Sequence, residues 1–372
     1  MRITVDLRSL HTDEYSGVEH FTLQALEYLF TVDKTNQYLL YYNGFRRKHF
    51  NQFHFLNVAY KQTRIPNRLL NLSFKLLGLP KIESLSDDNP VVLMPNPNMI
   101  TLRSTTKLIL VVHDLSPLFM PEMYSLKAQL WHRLINIPKL AQRADKILAV
   151  SEFTKQTLVE KLGIDEQKIV TTNLAIDHER FHPKLDTAKL RSVRNQYGLP
   201  GEYILFLGTL EPRKNLSRLL AAFEALSSDA HLVIAGKLGW RYNRVLQQMR
   251  QSKKARQIHY LGYVSEADKP YLLKLAKVFA WPSLYEGFGL PPLEAAAVGT
   301  PVLTSSVTSL PEVMGDSALL VNPYNVEEIT QGLEELLTQE LVRDKFIKRG
   351  LEHAKAFTWS DTAQALQTIL NK

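Results

Sequence analysis

Short apolar runs recur along this chain, and each ends on residues suited to a turn or a site. Val91–Met94 and Leu108–Val112 are bounded by proline and aspartate, and Ile147–Val150 delivers a capping serine, Ser151. Tyr203–Leu207, His231–Ala235, Ile258–Leu261 and Val278–Trp281 follow at intervals long enough for a helix. Runs without polar alternation read as strands buried on both faces, the habit of parallel sheets. Parallel strands need crossover connections, so the pattern predicts repeated strand–helix units.

The units fall into two sets. Residues 2–7 open the first as a strand, followed by a polar loop from His11 to Gly17, a helix from Val18 to Phe30 and a strand at Tyr38–Tyr42. Ile169–Asn173 closes this set, and the polar, proline-containing stretch Ala175–Asp186 reads as the crossover, with a domain boundary near 180–195. Tyr203–Leu207 begins the second set, which Pro301–Thr304 and Leu319–Val321 complete. Helices are expected over 325–338, 340–356 and Asp361–Leu370. Two doubly wound α/β domains of similar size are expected, with ligands beyond the carboxyl ends of the strands and a cleft between the facing edges. There is no G-x-G-x-x-G, so a dinucleotide fingerprint is lacking.

With 372 residues, two domains are the natural division. The chain has no cysteine, which excludes disulfides, thiolate catalysis and cysteine-bound zinc. No run approaches the ~18 apolar residues of a membrane span, and the N-terminus reads as a strand rather than a signal peptide, which points to the cytoplasm. The formal charge of +8 favours a polyanionic partner. The charge is uneven: between Asp33 and Glu83 no acid occurs, while Lys34, Arg46, Arg47, Lys48, Lys61, Arg64, Arg68, Lys75 and Lys81 do. Anionic lipid, an anionic nucleotide or nucleic acid could each account for that patch, as could a merely solvated surface. Within it, Asn67–Gly78 mixes Leu69, Leu70, Leu72, Phe74, Leu76 and Leu77 with Arg68 and Lys75, too apolar for one narrow stripe. Packing into the core is expected ahead of contact with a membrane.

Four places carry chemistry. The strand Val278–Trp281 runs into Pro282–Gly289, a glycine-bearing turn with Glu286, and then into a helix opened by Pro291 and Pro292 with Glu294 inside it. A helix start preceded by small residues offers free N–H groups and a positive dipole end to a phosphate. Read blandly, Glu286 is a loop acid and Glu294 a solvated one. After Tyr203–Leu207 come Gly208, Thr209 and then Arg213-Lys214, two cations at a helix entrance that suit a diphosphate, or are simply solvated. His113-Asp114 stands at the carboxyl end of a strand, the ligand edge of an open sheet, though satisfied structural histidines are common. Gly262-Tyr263-Val264 could offer backbone groups to a base, and Gly17 could admit a substrate close to the backbone or only relieve a turn.

Taken together, these residues resemble the retaining, nucleotide-sugar-dependent glycosyltransferases of group one, with the two-domain GT-B fold. The resemblance spans nearly the whole chain and is strongest over 203–323. Glu286-Gly287-Phe288-Gly289-Leu290-Pro291…Glu294 matches the E-x7-E element, and Gly208-Thr209-Leu210…Arg213-Lys214-Asn215 the phosphate loop. Leu261-Gly262-Tyr263-Val264 and Pro311-Glu312…Gly315-Asp316-Ser317-Ala318 match flanking patterns. The resemblance implies an acceptor-side domain over 1–185, joined by a returning C-terminal helix at 358–372, and a nucleotide-sugar domain over 195–357. It implies that Glu294 binds the ribose hydroxyls, that Glu286 lies by the donor sugar and reacting phosphate, and that His113 contacts the transferred sugar. Amides of Phe288, Gly289 and Leu290, with Arg213 and Lys214, would hold the diphosphate, beside Gly208, Thr209, Tyr263 and Val264, and Gly17 would shape the loop over it. Many relatives carry arginine where this chain has Thr209, which leaves Arg213 and Lys214 as the main cations.

The implied reaction is sugar transfer with retention, from GDP-mannose to a glycan or lipid-linked glycan. No cofactor is expected beyond the donor. With no D-x-D present, the cations take the place of a metal ion. A non-catalytic subunit with the same fold at a membrane surface is the alternative, and nucleic-acid binding rests on charge alone. The basic 34–82 segment is expected to face an anionic membrane, at its inner face.

Overall fold

The structure is a computed structural model that describes residues 1–11, 17–45 and 53–371. Tyr15 and Ser16 of the first loop and Arg46, Arg47 and Lys48 of the basic segment lie outside the described residues. The chain forms two compact units, one of Met1–Phe119, Leu126–Ala175 and Trp359–Lys372, the other of Met120–Ser125 and Ile176–Thr358. The passage into the second unit falls at Ala175–Ile176, ahead of residue 180. There the Ile176 amide already bonds Phe357 O at 3.2 Å, and the Arg180 guanidinium bonds Glu266 O at 2.6 Å.

Among the described residues, the first unit holds β1 (Arg2–Asp6), β2 (Gln37–Asn43), β3 (Val58–Thr63), β4 (Val91–Met94), β5 (Lys107–Val112), β6 (Lys146–Ala149) and β7 (Ile169–Thr171). They pair in parallel in the order β3-β2-β1-β4-β5-β6-β7. β4 and most of β5 are buried throughout, as continuous apolar runs require. The helix Gly17–Val32 lies against the last helix, Trp359–Asn371, with the Phe21 and Trp359 rings 5.9 Å apart. The expected return of the C-terminal helix to the first domain is thus observed. Leu366, Ile369 and Leu370 are buried there, and each such side chain contributes roughly 1.5–3 kcal/mol.

The basic, leucine-rich stretch departs from its expected burial. The helix Asn67–Leu76 buries only Leu70 and Phe74 in the unit's core, whereas Leu69 (59% exposed), Leu72 (53%) and Leu76 (71%) stand in solvent. Spacings of three and four place those three on one stripe. Arg68 and Lys75, also exposed, flank it. The sheet needs only one face of the helix, and the Leu70–Phe74 pair supplies it.

The second unit contains β8 (Tyr203–Leu207), β9 (His231–Ala235), β10 (Ile258–Gly262), β11 (Val278–Trp281), β12 (Val302–Ser305) and β13 (Leu319–Val321) among its described residues. Their order is β10-β9-β8-β11-β12-β13, again all parallel. The order reverses between β8 and β11, and the crevice outside the carboxyl ends of such neighbours is where open α/β sheets hold ligands. In this unit the loops that leave those two strands are residues 208–215 and 282–289.

Candidate active site

Backbone packing brings the two loops together. Gly208 directly follows β8, and its amide bonds Ala235 O at 2.8 Å. A Cβ on Gly208 would lie 2.4 Å from the Trp281 indole, so only glycine lets the strand end pass that ring. Asn215, at φ +61°, closes the Pro212–Lys214 turn and donates its amide to Pro282 O (2.9 Å) and Pro323 O (2.7 Å). The Leu284 amide in turn bonds Arg213 O at 2.8 Å. Arg213 and Lys214 are therefore held against the loop that carries Glu286.

The Glu286 carboxylate is buried where these elements meet. Its Oε1 accepts from Lys214 Nζ (2.7 Å) and Trp281 Nε1 (3.0 Å), and its Oε2 accepts from Arg213 Nη1 (3.0 Å). Arg213 is anchored twice more, to Tyr285 O at 2.6 Å and through Nη2 to Glu211 Oε1 at 2.8 Å. Lys214 Nζ also lies 4.6 Å from the centre of the Trp281 ring, within cation–π range. Burial pushes the Glu286 carboxyl up, but Lys214 and Arg213 outweigh it and hold the group at about 2. The loop acid of the bland reading is thus an ionised group fixed by three donors. Arg213 and Lys214 are likewise not solvated, since their charges are matched by Glu211 and Glu286.

The helix Leu290–Ala297 starts beside this cluster. Gly289 precedes it at φ +110°, and a Cβ there would meet Leu310 Cδ2 at 2.5 Å. Ser309 Oγ lies 2.9 and 2.8 Å from the carbonyl oxygens of Glu286 and Phe288, which fixes the turn. Pro291 and Pro292 carry no N–H, so the free donors at this helix start come from Phe288, Gly289 and Leu290. Glu294 sits in the helix body, buried rather than solvated, with both oxygens near Lys269 Nζ (3.1 and 2.8 Å).

Thr209, Gly262, Tyr263 and Val264, also singled out in the sequence, follow strands of this same second sheet. Thr209 is exposed directly after β8, and Tyr263, 57% exposed after β10, has Lys237 Nζ 4.8 Å from its ring centre. Val264 is buried, and Gly262 at φ +69° turns the chain so that its carbonyl accepts from the Gly236 amide at 2.7 Å. In the first unit, Gly17 begins its helix, and no heavy atom of the described residues lies within 4 Å of where a Cβ would stand. His113 follows β5, its Nε2 2.7 Å from Pro95 O and its ring edge-on to Phe21 at 4.8 Å. Because a carbonyl only accepts, Nε2 carries the hydrogen and Nδ1 presents a lone pair. Burial lowers this imidazole to about 4, against opposing pulls from Pro95, Asp114 and Glu19, so the ring is neutral at physiological pH.

Sequence reasoning gave no site role to Glu211, Lys269 or Asn215, although Asn215 ends the matched phosphate loop. Glu211 and Asn215 flank the Arg-Lys pair, but nothing about their spacing distinguishes a partner from a loop residue. Lys269 meets Glu294 from a separate helix, Lys269–Leu275, and only the fold creates that pair.

The chain matches the family Glycosyl transferases group 1 over residues 192–353 and Glycosyltransferase Family 4 over 43–180. The O-antigen chain mannosyltransferase B of Escherichia coli is 35% identical over 270 residues, covering 71% of this chain and 70% of that protein. The serotype-specific mannosyltransferase WbdA of Escherichia coli is 33% identical over 263 residues, 69% of this chain but only 32% of that longer protein. The structure of Anabaena HepE with UDP and glucose aligns over 100% of this chain and 99% of its own with a TM-score of 0.74, and at 15% identity that likeness concerns the fold alone. Matched sheets, an E-x7-E helix start beside a cationic loop, and this kinship agree: the chain belongs to the group 1 glycosyltransferases of GT-B fold and is mannosyltransferase-like.

Proposed function

We propose that the enzyme transfers mannose from GDP-mannose to a mannose-bearing surface glycan or its lipid-linked precursor, with retention and without a metal ion. The observation that carries this reading is the Arg213–Lys214–Glu286 cluster at the strand-order reversal, next to the Leu290 helix start. The acceptor hydroxyl oxygen attacks the anomeric carbon from the face that the leaving phosphate vacates. The carbon–oxygen bond to phosphate breaks, and the departing phosphate oxygen takes the acceptor's proton. Arg213, Lys214 and the amides of Phe288–Leu290 stabilise the charge growing on the diphosphate, as a metal ion does elsewhere. Glu286 faces the positive character on the sugar. Bound to three donors it is a poor nucleophile, which supports front-face displacement over a glycosyl-enzyme intermediate. Glu294 takes the ribose hydroxyls, Tyr263 and Val264 the base, and His113 accepts a hydroxyl hydrogen of the sugar.

A donor screen tests this. Calorimetric titration with GDP-, UDP- and dTDP-sugars is expected to rank GDP-mannose first, with turnover unchanged by a chelator. Preference for a UDP-sugar, such as the nucleotide held by the Anabaena protein, overturns the assignment of the donor. Donor binding without hydrolysis or transfer favours a binding-only subunit.

The same reading includes contact with an anionic membrane through Asn67–Leu76. The exposed Leu69, Leu72 and Leu76 with Arg68 and Lys75 form the apolar stripe and basic flank of an interfacial helix. No helix among the described residues is long and apolar enough to cross a bilayer. Basic residues near an anionic surface contribute about 1 kcal/mol each. Replacing Leu72 and Leu76 with glutamate is expected to reduce sedimentation with phosphatidylglycerol vesicles about tenfold or more. Equal sedimentation of both proteins, or indifference to the anionic lipid fraction, removes this part of the proposal.

A further inference from the structure

Two kinds of donor hold the Glu286 carboxylate. Arg213 and Lys214 are charged, and the proposed reaction gives both a second acceptor, the donor diphosphate. The other is the Trp281 indole at the end of β11, whose Nε1 lies 3.0 Å from Glu286 Oε1. An indole has one N–H, no charge and no acceptor atom, so it donates whatever the pH. Trp281 is only 1% exposed, which shields that N–H from an incoming phosphate.

The indole is also fixed independently of the site's occupant. Its ring stacks on Phe206 of β8 at 5.2 Å and on Phe279 of its own strand at 5.8 Å. Its carbonyl accepts from the Ser283 amide and from Thr304 Oγ1, both at 2.9 Å. Close packing of this kind leaves a large side chain one orientation, so strands rather than ligand set the direction of the N–H. Lys214 Nζ rests against the face of the same ring, 4.6 Å from its centre. One side chain therefore orients both groups that meet Oε1.

A carboxylate held by cations alone turns with them when they turn. Lys214 is the partner that the diphosphate draws away from Oε1, and the indole bond is the one that stays. We propose that Trp281 is a positioning residue for the transfer: its N–H pins Glu286 Oε1 while Arg213 and Lys214 serve the diphosphate, so the carboxylate keeps its aim at the reacting sugar. The inference rests on the sugar transfer proposed above. A preset donor to a charged group does this without reorganising during the reaction.

Two replacements remove the N–H. Trp281→Phe keeps an aromatic ring beside Phe206 and Phe279, and β-(3-benzothienyl)alanine at position 281 keeps the full outline with sulfur in place of N–H. The second guards against a packing defect in the first. Each is expected to lower kcat about tenfold and leave the donor KM within about twofold. In Glu286→Ala, neither replacement is expected to cost anything further, because the indole acts through the carboxylate.

Nuclear magnetic resonance reads the bond without turnover. The chain has four tryptophans, so loss of one indole signal in Trp281→Phe identifies the Nε1–H of Trp281. That signal is expected downfield, to move upfield in Glu286→Ala, and to stay downfield when inorganic pyrophosphate fills the diphosphate site. Wild-type kcat in the benzothienyl protein, or a kcat loss of the same size in Glu286→Ala, overturns the positioning role. So does an indole signal that ignores Glu286→Ala or moves upfield with pyrophosphate. An indole signal that follows Glu286 and withstands pyrophosphate, in an enzyme that turns over no sugar nucleotide, keeps the tether and sinks the proposed function.

Discussion

Replacing Glu286 with glutamine lowers kcat by about 10²–10³-fold and leaves the donor KM unchanged or lower. Size and position are kept, but the charge opposite the sugar is gone. The carboxylate receives Lys214 and Trp281 on one oxygen and Arg213 on the other, so an amide must turn its NH2 toward a donor on one side. The freed cations then meet the diphosphate without a competing carboxylate, and binding does not weaken. A mutation that merely loosened the loop would raise KM instead, so steady-state kinetics separate the two. An unchanged kcat removes Glu286 from the reacting set. Between pH 8 and 5 neither Glu286, at about 2, nor His113, at about 4, changes charge. Wild type and variant should therefore share one pH profile over that range.

Gly236→Ala costs the second unit roughly 3–5 kcal/mol and lowers Tm by about 10 °C, or prevents accumulation of folded protein. Its φ of +142° is strained for any L side chain, and a Cβ would stand 2.0 Å from the Gly208 carbonyl oxygen. That atom is backbone and cannot rotate away. Relief would require parting the ends of β8 and β9 and so moving the phosphate loop. Gly201→Ala is the control: its φ lies outside the left-handed region and no heavy atom of the described residues stands within 4 Å of a Cβ there, so calorimetry should find no loss of Tm. A Gly236→Ala protein with wild-type Tm contradicts the packing described for this edge.

The strands were legible in sequence where burial on both faces made them continuous apolar runs, as at Leu205 or Ile109. β3 was not, because Val58-Ala59-Tyr60-Lys61-Gln62-Thr63 is an edge strand, half exposed, and its polar residues resemble a loop. The Asn67–Leu76 helix misled in the opposite direction. Leucine density suggested burial, yet only Leu70 and Phe74 join the core. At the site, the pairing of Glu286 with Arg213 and Lys214 could be inferred only as shared kinship. Their distance of over seventy positions in the chain closes through strand order, which composition does not encode. Glu294 shows the limit most plainly, since its partner Lys269 gives no local signal at all.

The last helix carries a consequence for synthesis. Trp359, Ala363, Leu366, Ile369 and Leu370 are buried in the first unit, Thr362 bonds Asn173 O at 2.9 Å, and Asn36 reaches Asn371 at 3.1 Å. A ribosome extends the chain at about 5–20 residues per second, so N-terminal domains ordinarily fold while the rest is still being made. Here the unit that begins first is finished last. The groove left by the absent helix, with Phe21 and the face of Gly17–Val32 uncovered, persists until residues 359–371 have left the exit tunnel, whereas the second unit has all its strands well before then.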